Sequence, residues 1–207
     1  MDKTLALTEI RLKGIDRFLD EHILCRQSHI FSLNPAGENL FFQHISQSLN
    51  VDPANIIIVG SAKTGISMSP SKFGRQFLPE SDIDVIVISP SIYDDFWLTI
   101  AEFAYPHKSV IDSHLRTITK DVMRQFFWGS LHVPSLTPYE ITYSERYANL
   151  RDYRSQWFTA FKGLSKYYNY PEFSARTVKG RLYRSLEHAK MYHRSGVQEI
   201  MRQQIEV

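Results

Sequence analysis

The stretch that decides the fold is residues 56–88, IIIVGSAKTGISMSPSKFGRQFLPESDIDVIVI. It begins with the β-branched run Ile56-Ile57-Ile58-Val59, which predicts a short buried strand ending at Gly60. It closes with Asp-Ile-Asp-Val-Ile-Val-Ile at 82–88, which predicts a second strand. Residues 62–81 between the strands are rich in Thr, Gly, Ser, Pro and Lys, and they predict a long mobile loop.

The residues that follow the first strand suit phosphate binding. Gly60 has no side chain to keep an anion away from the backbone. The Ser61 hydroxyl and the adjacent amides can donate hydrogen bonds to phosphate oxygens. Lys63 and Thr64 are further candidate phosphate contacts, although the Lys63 side chain can equally point to solvent. Ser81, directly before the second strand, completes this predicted phosphate-binding set.

Asp82 and Asp84 are the candidate metal ligands and catalytic residues. They lie two positions apart at the start of a strand, so both carboxylates project from one face, while Ile83 points into the core. Two close carboxylates repel each other, so an unliganded pair costs free energy. A Mg²⁺ or Mn²⁺ ion removes that cost, because it prefers oxygen ligands and can bridge to a triphosphate. The pair therefore predicts a site for a metal-bound nucleotide.

The rest of the chain is mostly of helical pattern. Helices are predicted over about 4–24, 36–49, 91–104 and 117–128, and short strands over 131–133 and 141–143. After residue 145 the pattern is amphipathic and helical, with breaks near Pro171 and Gly196. We therefore predict an α/β (α+β) fold. Residues 1–145 would form a small mixed sheet with N-terminal helices, and residues 146–207 a helical region packed on it.

Composition narrows the class of protein. The chain has 207 residues, 43% of them hydrophobic, which is enough for a packed core. The net charge of +2 gives no whole-chain case for nucleic-acid binding. Cys25 is the only cysteine, so an intramolecular disulfide is excluded, and the histidines show no zinc-ligand spacing. No stretch approaches the roughly 20 apolar residues that span a bilayer, so a cytoplasmic protein is expected.

The order of these motifs resembles the signature of the DNA polymerase β-like nucleotidyltransferases: a hydrophobic strand, Gly60-Ser61, a loop, then Ser81-Asp82-Ile83-Asp84 and aliphatic residues. The residues of the two motifs are most similar to those of the oligoadenylate and cyclic-dinucleotide synthase branch. The resemblance implies transfer of a nucleotidyl group from a nucleoside triphosphate, ATP being favoured, to an acceptor hydroxyl with release of pyrophosphate. It implies that Gly60 and Ser61 contact the triphosphate and that Asp82 and Asp84 bind Mg²⁺ or Mn²⁺. RNA and protein are both possible acceptors, and the short chain favours a homodimer or a partner chain.

The spacing between the two motifs departs from the family pattern. Residues 68–79 are an insertion, which can form a lid over the nucleotide or a loop that binds a partner. Its charged residues Lys72 and Arg75 are interpreted as solubilising charges, and contact with the substrate is the alternative.

The second departure from the family pattern concerns a third carboxylate. Active members of the family present one from a later strand, where it acts as general base on the acceptor hydroxyl. Glu140, in a strand-like run, is the first candidate, and Asp112 is the second. If neither lies near Asp82, the same fold would be a nucleotide-binding or partner-binding module without transfer.

The C-terminal third collects basic residues: Arg176, Lys179, Arg181, Arg184, Lys190 and Arg194. A helix over about 174–193 would align several of them with Tyr183 and Tyr192, and could hold a triphosphate tail or an RNA acceptor. The alternative is an ordinary solvated helix face. Arg181 and His188, with six residues between them, also resemble the Arg-x(4–6)-His signature of HEPN ribonucleases. Ribonuclease activity is therefore a third functional hypothesis.

Overall fold

A computed structural model of the chain describes residues 1–25, 27–105, 120, 122–135, 145 and 148–205. Four strands of this part form one mixed sheet in the order β1-β2-β4-β3. They are β1 (Ile56–Val59), β2 (Ile83–Ile88), β3 (Ser130–Leu131) and β4 (Val178–Tyr183). β2 pairs antiparallel with β1 and parallel with β4, and β3 pairs antiparallel with β4. The predicted α/β fold with a small mixed sheet is confirmed.

Helices surround the sheet. They are α1 (Lys3–Lys13), α2 (Ile15–Phe18), α3 (Pro35–Leu49), α4 (Ser61–Thr64), α5 (Pro90–Ala104), α6 (Ala148–Lys162), α7 (Pro171–Ser174) and α8 (Leu186–Gln203). The predicted first helix is interrupted at Gly14, which has a φ of 79°, and a π-helical turn, Leu19–Ile23, continues α2. Residues 122–127 are also helical. None of the helices in the described part is long and apolar enough to cross a membrane.

The residues at the start of α3 and α5, the two longest helices in the N-terminal half of the chain, explain where these helices begin. The Asn34 side chain accepts a hydrogen bond from the Gly37 N–H, and Pro35 stands at the first position of α3. Ser89 accepts from Ile92 in the same way at the start of α5, again with a proline next. Both helices begin within one residue of the predicted position, because the capping residue and the proline mark it directly.

Strand alternation divides the core into two layers. One face of the sheet packs Ile58, Val85 and Leu182 against aromatic residues of α3, α5 and α6. The other face packs Val59, Ile86 and Tyr183, among others, against α1, α2 and α8. Asp84 precedes Ile86 by two positions, so it belongs to the second face, and it is the exposed position of an otherwise buried β2.

The segment predicted to be a long loop, residues 62–81, is folded for much of its length. Its first residues belong to the short helix α4, and Ile66 pairs with Gln76 in an isolated antiparallel bridge. The Ser67 N–H donates to the Arg75 carbonyl at 2.7 Å, and the Phe77 N–H donates to the Gly65 carbonyl at 2.9 Å. These bonds turn the inserted segment 68–79 into a hairpin-like excursion.

The helix predicted over about 174–193 is wrong in its first half, where β4 lies. Gly180 explains the difference: a Cβ atom there would lie 2.2 Å from the Phe161 ring and 2.7 Å from Trp157. Only a glycine strand position lets α6 approach the sheet this closely. The predicted break at Gly196 is also wrong, because α8 continues through it. The helical C-terminal part is confirmed by α6 and α8. Of the strand predicted over 131–133, only Leu131 is in β3, and Val133 already begins a 3-10 turn. Residues 141–143 lie outside the described residues.

Candidate functional site

A cavity of about 1050 Å³ lies beside the start of β2. Its walls come from the turn after β1, the start of β2, the hairpin-like excursion, β4 and α8. This volume is at the upper end of the range of about 300–1,000 Å³ that small-molecule pockets occupy. Five of the residues predicted from sequence line it: Gly60, Ser61, Ser81, Asp82 and Asp84.

Gly60 allows the close approach of the two motifs. The register of the antiparallel pair places Val59 opposite Asp84. Gly60 follows with a φ of 69°, and a Cβ atom on it would lie 3.1 Å from the Asp84 Oδ2. A side chain at this position would therefore meet both an unfavourable backbone conformation and the Asp84 carboxylate. Ser61 then begins α4 on the cavity wall.

The Asp84 side chain is the exposed one of β2, and it lies on the cavity wall. Burial among protein atoms raises its pKa, and the neighbouring Asp82 raises it further, while Lys179 and Arg181 lower it. Asp82 is paired with the Lys179 ammonium, and both side chains are accessible to solvent. The two aspartates thus sit in different surroundings: Asp82 has an ion-pair partner, whereas Asp84 has none among the residues that the structure describes.

The aspartates are not joined by a third close ligand within the described residues. The one group of three acidic or histidine ligand atoms lying within 4.8 Å of one another, among those residues, is Glu9, Glu21 and His22 on the far side of α1. Lys13 bonds both glutamates there, so this cluster is an ion-pair network between α1 and the π-helical turn. Glu140 and Asp112, the predicted third carboxylates, lie outside the described residues.

Three of the predicted phosphate contacts are already engaged. The Lys63 ammonium donates to the Cys25 carbonyl, and only 4% of the residue is exposed. The Thr64 hydroxyl donates to the Ile66 carbonyl at 2.6 Å. Neither residue lines the cavity, because α4 turns both side chains into the protein. The Ser81 hydroxyl does line the cavity, and it accepts a hydrogen bond from the Leu78 N–H at 2.9 Å.

We expect Lys63→Met to leave triphosphate binding within about twofold of wild type. Burial lowers the pKa of Lys63, and the ammonium holds the Cys25 carbonyl. Because Lys63 does not line the cavity, its loss should affect the packing near Cys25 rather than the contacts of a ligand. Calorimetric titration of Mg²⁺-ATP into both proteins measures the effect. A tenfold loss of affinity in a variant that still unfolds cooperatively would restore Lys63 to the phosphate site.

Three cations from two segments of the chain line the cavity. Lys72 and Arg75 come from the excursion, and Arg181 comes from β4. The Arg181 guanidinium lies 5.5 Å from the centroid of the Tyr192 ring. Among the residues that the structure describes, no carboxylate forms an ion pair with any of these three cations. Lys72 and Arg75 are therefore placed where an anionic ligand could reach them.

Two histidines of α8 also line the cavity. His188 is held in place, because its Nδ1 lies 2.7 Å from the Ser185 hydroxyl and its ring covers Gly129. A Cβ atom on Gly129 would lie 1.9 Å from the His188 ring. His188 and Arg181 do share the cavity, but they lie on a helix and a strand rather than on one helix. The spacing that resembles a HEPN ribonuclease therefore spans two kinds of element.

His193 makes stability depend on pH. Burial, with a smaller contribution from the Arg181 charge, lowers the pKa of His193 to about 4, and its Nε2 has no hydrogen-bond partner among the described residues. An unfolded histidine titrates near 6.5, so its stabilising contribution is complete above that pH and is lost as the pH falls toward 4. Between pH 7 and 5 we expect wild type to lose about 2 kcal/mol more unfolding free energy than His193→Gln. Urea unfolding at both pH values measures this difference, and equal losses in the two proteins would contradict the assignment.

An aromatic surface forms part of the same cavity wall. Phe127, Trp128 and Tyr192 are 77%, 62% and 54% exposed, although large aromatic side chains are usually buried. Sequence reasoning missed Phe127 and Trp128. The signal was available in the run Phe126-Phe127-Trp128 before Gly129, where only Phe126 packs inward, against Tyr93.

A scan of protein-family models and searches of curated proteins and of solved structures find no match to this chain. The function therefore has to be inferred from the residues of the cavity and from the motif resemblance of residues 56–88.

Proposed function

We propose that the chain is a metal-dependent nucleotidyltransferase that binds a nucleoside triphosphate in this cavity. The observation that carries the proposal is the shared position of both predicted motifs, Gly60-Ser61 and Asp82-x-Asp84, on one wall of a cavity that also holds unpaired cations. Acidic and basic groups in one cavity suit a ligand that brings both a divalent metal and a polyphosphate.

The donor set fits Mg²⁺ or Mn²⁺. Both ions prefer carboxylate oxygens, and two such groups stand at the start of β2. The raised pKa of Asp84 supports the fit, because a carboxylate that protein atoms desolvate gains most from a cation. Gly60 supports it as well, since its missing side chain leaves room next to the Asp84 carboxylate.

The proposed reaction joins an acceptor oxygen to the α-phosphorus and breaks the bond between that phosphorus and the bridging oxygen to the β-phosphate. Pyrophosphate leaves, and the acceptor proton passes to a base. When bound, the metal supplies charge neutralisation on the transferred group and on pyrophosphate. Lys72, Arg75 and Arg181 would neutralise the remaining charge of the triphosphate. Glu140 stays the predicted base, and Glu80 is a further carboxylate on the cavity wall.

The aromatic surface supports a nucleotide as the ligand. Stacking of a base on an aromatic side chain contributes about 1–3 kcal/mol and is tolerant of base identity. Phe127, Trp128 and Tyr192 therefore favour a nucleobase without selecting one. The preference for ATP, an RNA or protein acceptor, a homodimer or partner chain, and a cytoplasmic location remain predictions from sequence.

One observation favours a second candidate, which is nucleotide binding without transfer. β4 is the strand beside β2, and its register places Lys179 directly opposite Asp84. Arg181 follows on the same face. The strand next to the aspartates thus carries cations, whereas the resemblance implies a third carboxylate on a later strand. A chain with this arrangement could hold a nucleotide as a sensor or as a subunit of a complex.

Titration of each of the four nucleoside triphosphates, with and without Mg²⁺, tests both candidates. Calorimetry reports binding, and a coupled assay reports pyrophosphate release during incubation with RNA or with the protein itself as acceptor. Metal-dependent binding with pyrophosphate release supports the transferase. Metal-dependent binding without release supports the binding module, and absence of binding to all four nucleotides contradicts both.

A further inference from the structure

We propose that Lys179 is an exchangeable counter-ion of the aspartate pair. It pairs with Asp82 in the absence of metal, and it turns to the triphosphate when a divalent cation and a nucleotide bind together. This inference rests on the proposed function, because it assumes that Asp82 and Asp84 bind the metal.

The position of Lys179 is fixed by the sheet. β2 and β4 run parallel, and their register sets the Lys179 backbone beside Asp84. From there the side chain reaches Asp82, the residue directly before β2, and its ammonium donates to the Asp82 Oδ2. Lys179 therefore lies within reach of both aspartates, although its backbone is held by two neighbouring strands.

The Lys179 ammonium reaches solvent, whereas its backbone is held in the sheet. The side chains of Lys179 and Asp82 are 58% and 40% exposed, so the pair lies at the solvent-facing edge of the cavity. Exposed ion pairs contribute only about 0–1 kcal/mol, and a lysine stem rotates readily. A divalent cation can thus displace the ammonium at small cost and without disturbing the packing of β4 against α6.

The charges around the aspartates explain why such an exchange would matter. Without ligands, two carboxylates are balanced by the two cations on β4, Lys179 and Arg181. A divalent cation arriving alone would leave the cavity with excess positive charge, and Lys72 and Arg75 would add to it. A triphosphate removes that excess and offers the displaced ammonium new oxygen partners. Metal and nucleotide should therefore each strengthen the binding of the other, and by linkage the factor is the same in both directions.

The variant Lys179→Met should change the affinity for the metal and the affinity for the nucleotide in opposite directions. In Lys179→Met we expect Mn²⁺ alone to bind about two- to fivefold more tightly, because its competitor for Asp82 is gone. We expect ATP in the presence of Mn²⁺ to bind about tenfold more weakly, because one phosphate partner is lost. Electron paramagnetic resonance of free Mn²⁺ and calorimetry with ATP measure the two affinities. A purely structural ion pair would not move them in opposite directions.

Lys190→Met is the matched control. Lys190 of α8 pairs with Asp20 at 2.7 Å, so it is likewise half of a lysine–aspartate pair, but neither residue lines the cavity. This variant should leave both affinities unchanged. Lys179→Arg, which keeps the charge, should retain most of the ATP affinity that Lys179→Met loses.

Two results would overturn the inference, and they are distinguishable. If wild type couples Mn²⁺ and ATP but Lys179→Met binds Mn²⁺ no more tightly, Lys179 is not the competitor and the inference alone fails. If wild type and Lys179→Met both fail to bind Mn²⁺, with ATP and without it, the metal site itself is absent and the proposed function fails too. Thermal unfolding of each variant confirms that the comparison is made between folded proteins.

Discussion

Asp84→Asn is expected to lower metal-dependent nucleotidyl transfer at least about 1000-fold while raising the free energy of unfolding. A metal ligand of this kind supports several kcal/mol of transition-state stabilisation, and each 1.36 kcal/mol is about tenfold in rate. The gain in stability has a separate cause. Protein atoms desolvate the Asp84 carboxylate and raise its pKa, so its charge opposes folding at neutral pH. The asparagine amide keeps the shape and removes that charge.

Pyrophosphate release and urea unfolding together measure the two effects. Asp82→Asn should show the same loss of transfer with little change in stability, because it ends only an exposed pair with Lys179. Asp94→Asn is the control, since Asp94 pairs with Arg184 outside the cavity lining and should affect neither property. Full activity in both Asp82→Asn and Asp84→Asn would remove the aspartates from the reaction, whatever the stability result.

The parts of the site that were predictable from sequence are those in which the signal is local. Gly60 and Ser61 follow a strand whose residues are all buried. Asp82 directly precedes β2 and Asp84 is its second residue, so a short window defines both motifs. The antiparallel pairing of the two strands then brings Gly60 next to Asp84. No residue outside the window is needed for that contact.

Long-range packing decided what sequence reasoning missed. Lys63 stands three residues after Gly60 and looks like a phosphate contact, but its partner is the Cys25 carbonyl, 38 positions away in sequence. The Phe127 and Trp128 side chains become a cavity wall only because β3 and β4 pair and bring Gly129 under His188. Such contacts produce no periodic pattern in the sequence, since they depend on which elements become neighbours in the fold.

The basic residues in and after β4 fit both the helical period and the strand period, which is why the sequence pattern predicts a helix there. Arg181, Arg184 and His188 share a face at helical spacing, whereas Lys179, Arg181 and Tyr183 share a face at strand spacing. The burial of Leu182 and Tyr183 on opposite faces of the sheet follows the second pattern. The difference matters for function, because the strand brings Lys179 and Arg181 to the aspartates, which a helix on the surface would not do.

Gly180→Ala is therefore expected to destabilise the protein by about 1–3 kcal/mol or more, as overpacking of a core does. The added Cβ would lie 2.2 Å from the Phe161 ring and 2.7 Å from Trp157, and both aromatic residues are buried. Neither ring can move away easily, because each packs against the other, with centroids 5.0 Å apart. The midpoint of urea unfolding measures the loss.

Gly196→Ala is the control that makes the result decisive for the strand assignment. Gly196 lies within α8 with no atom near its missing Cβ, so alanine should stabilise the helix by about 0.5–1 kcal/mol. If residues 178–183 were helical, Gly180→Ala would stabilise for the same reason, and the two variants would shift the midpoint in one direction. Opposite shifts are expected, because β4 carries Gly180 into the α6 interface. Any Gly180→Ala protein that folds should also bind Mg²⁺-ATP more weakly, since a displaced β4 moves Lys179 and Arg181 together.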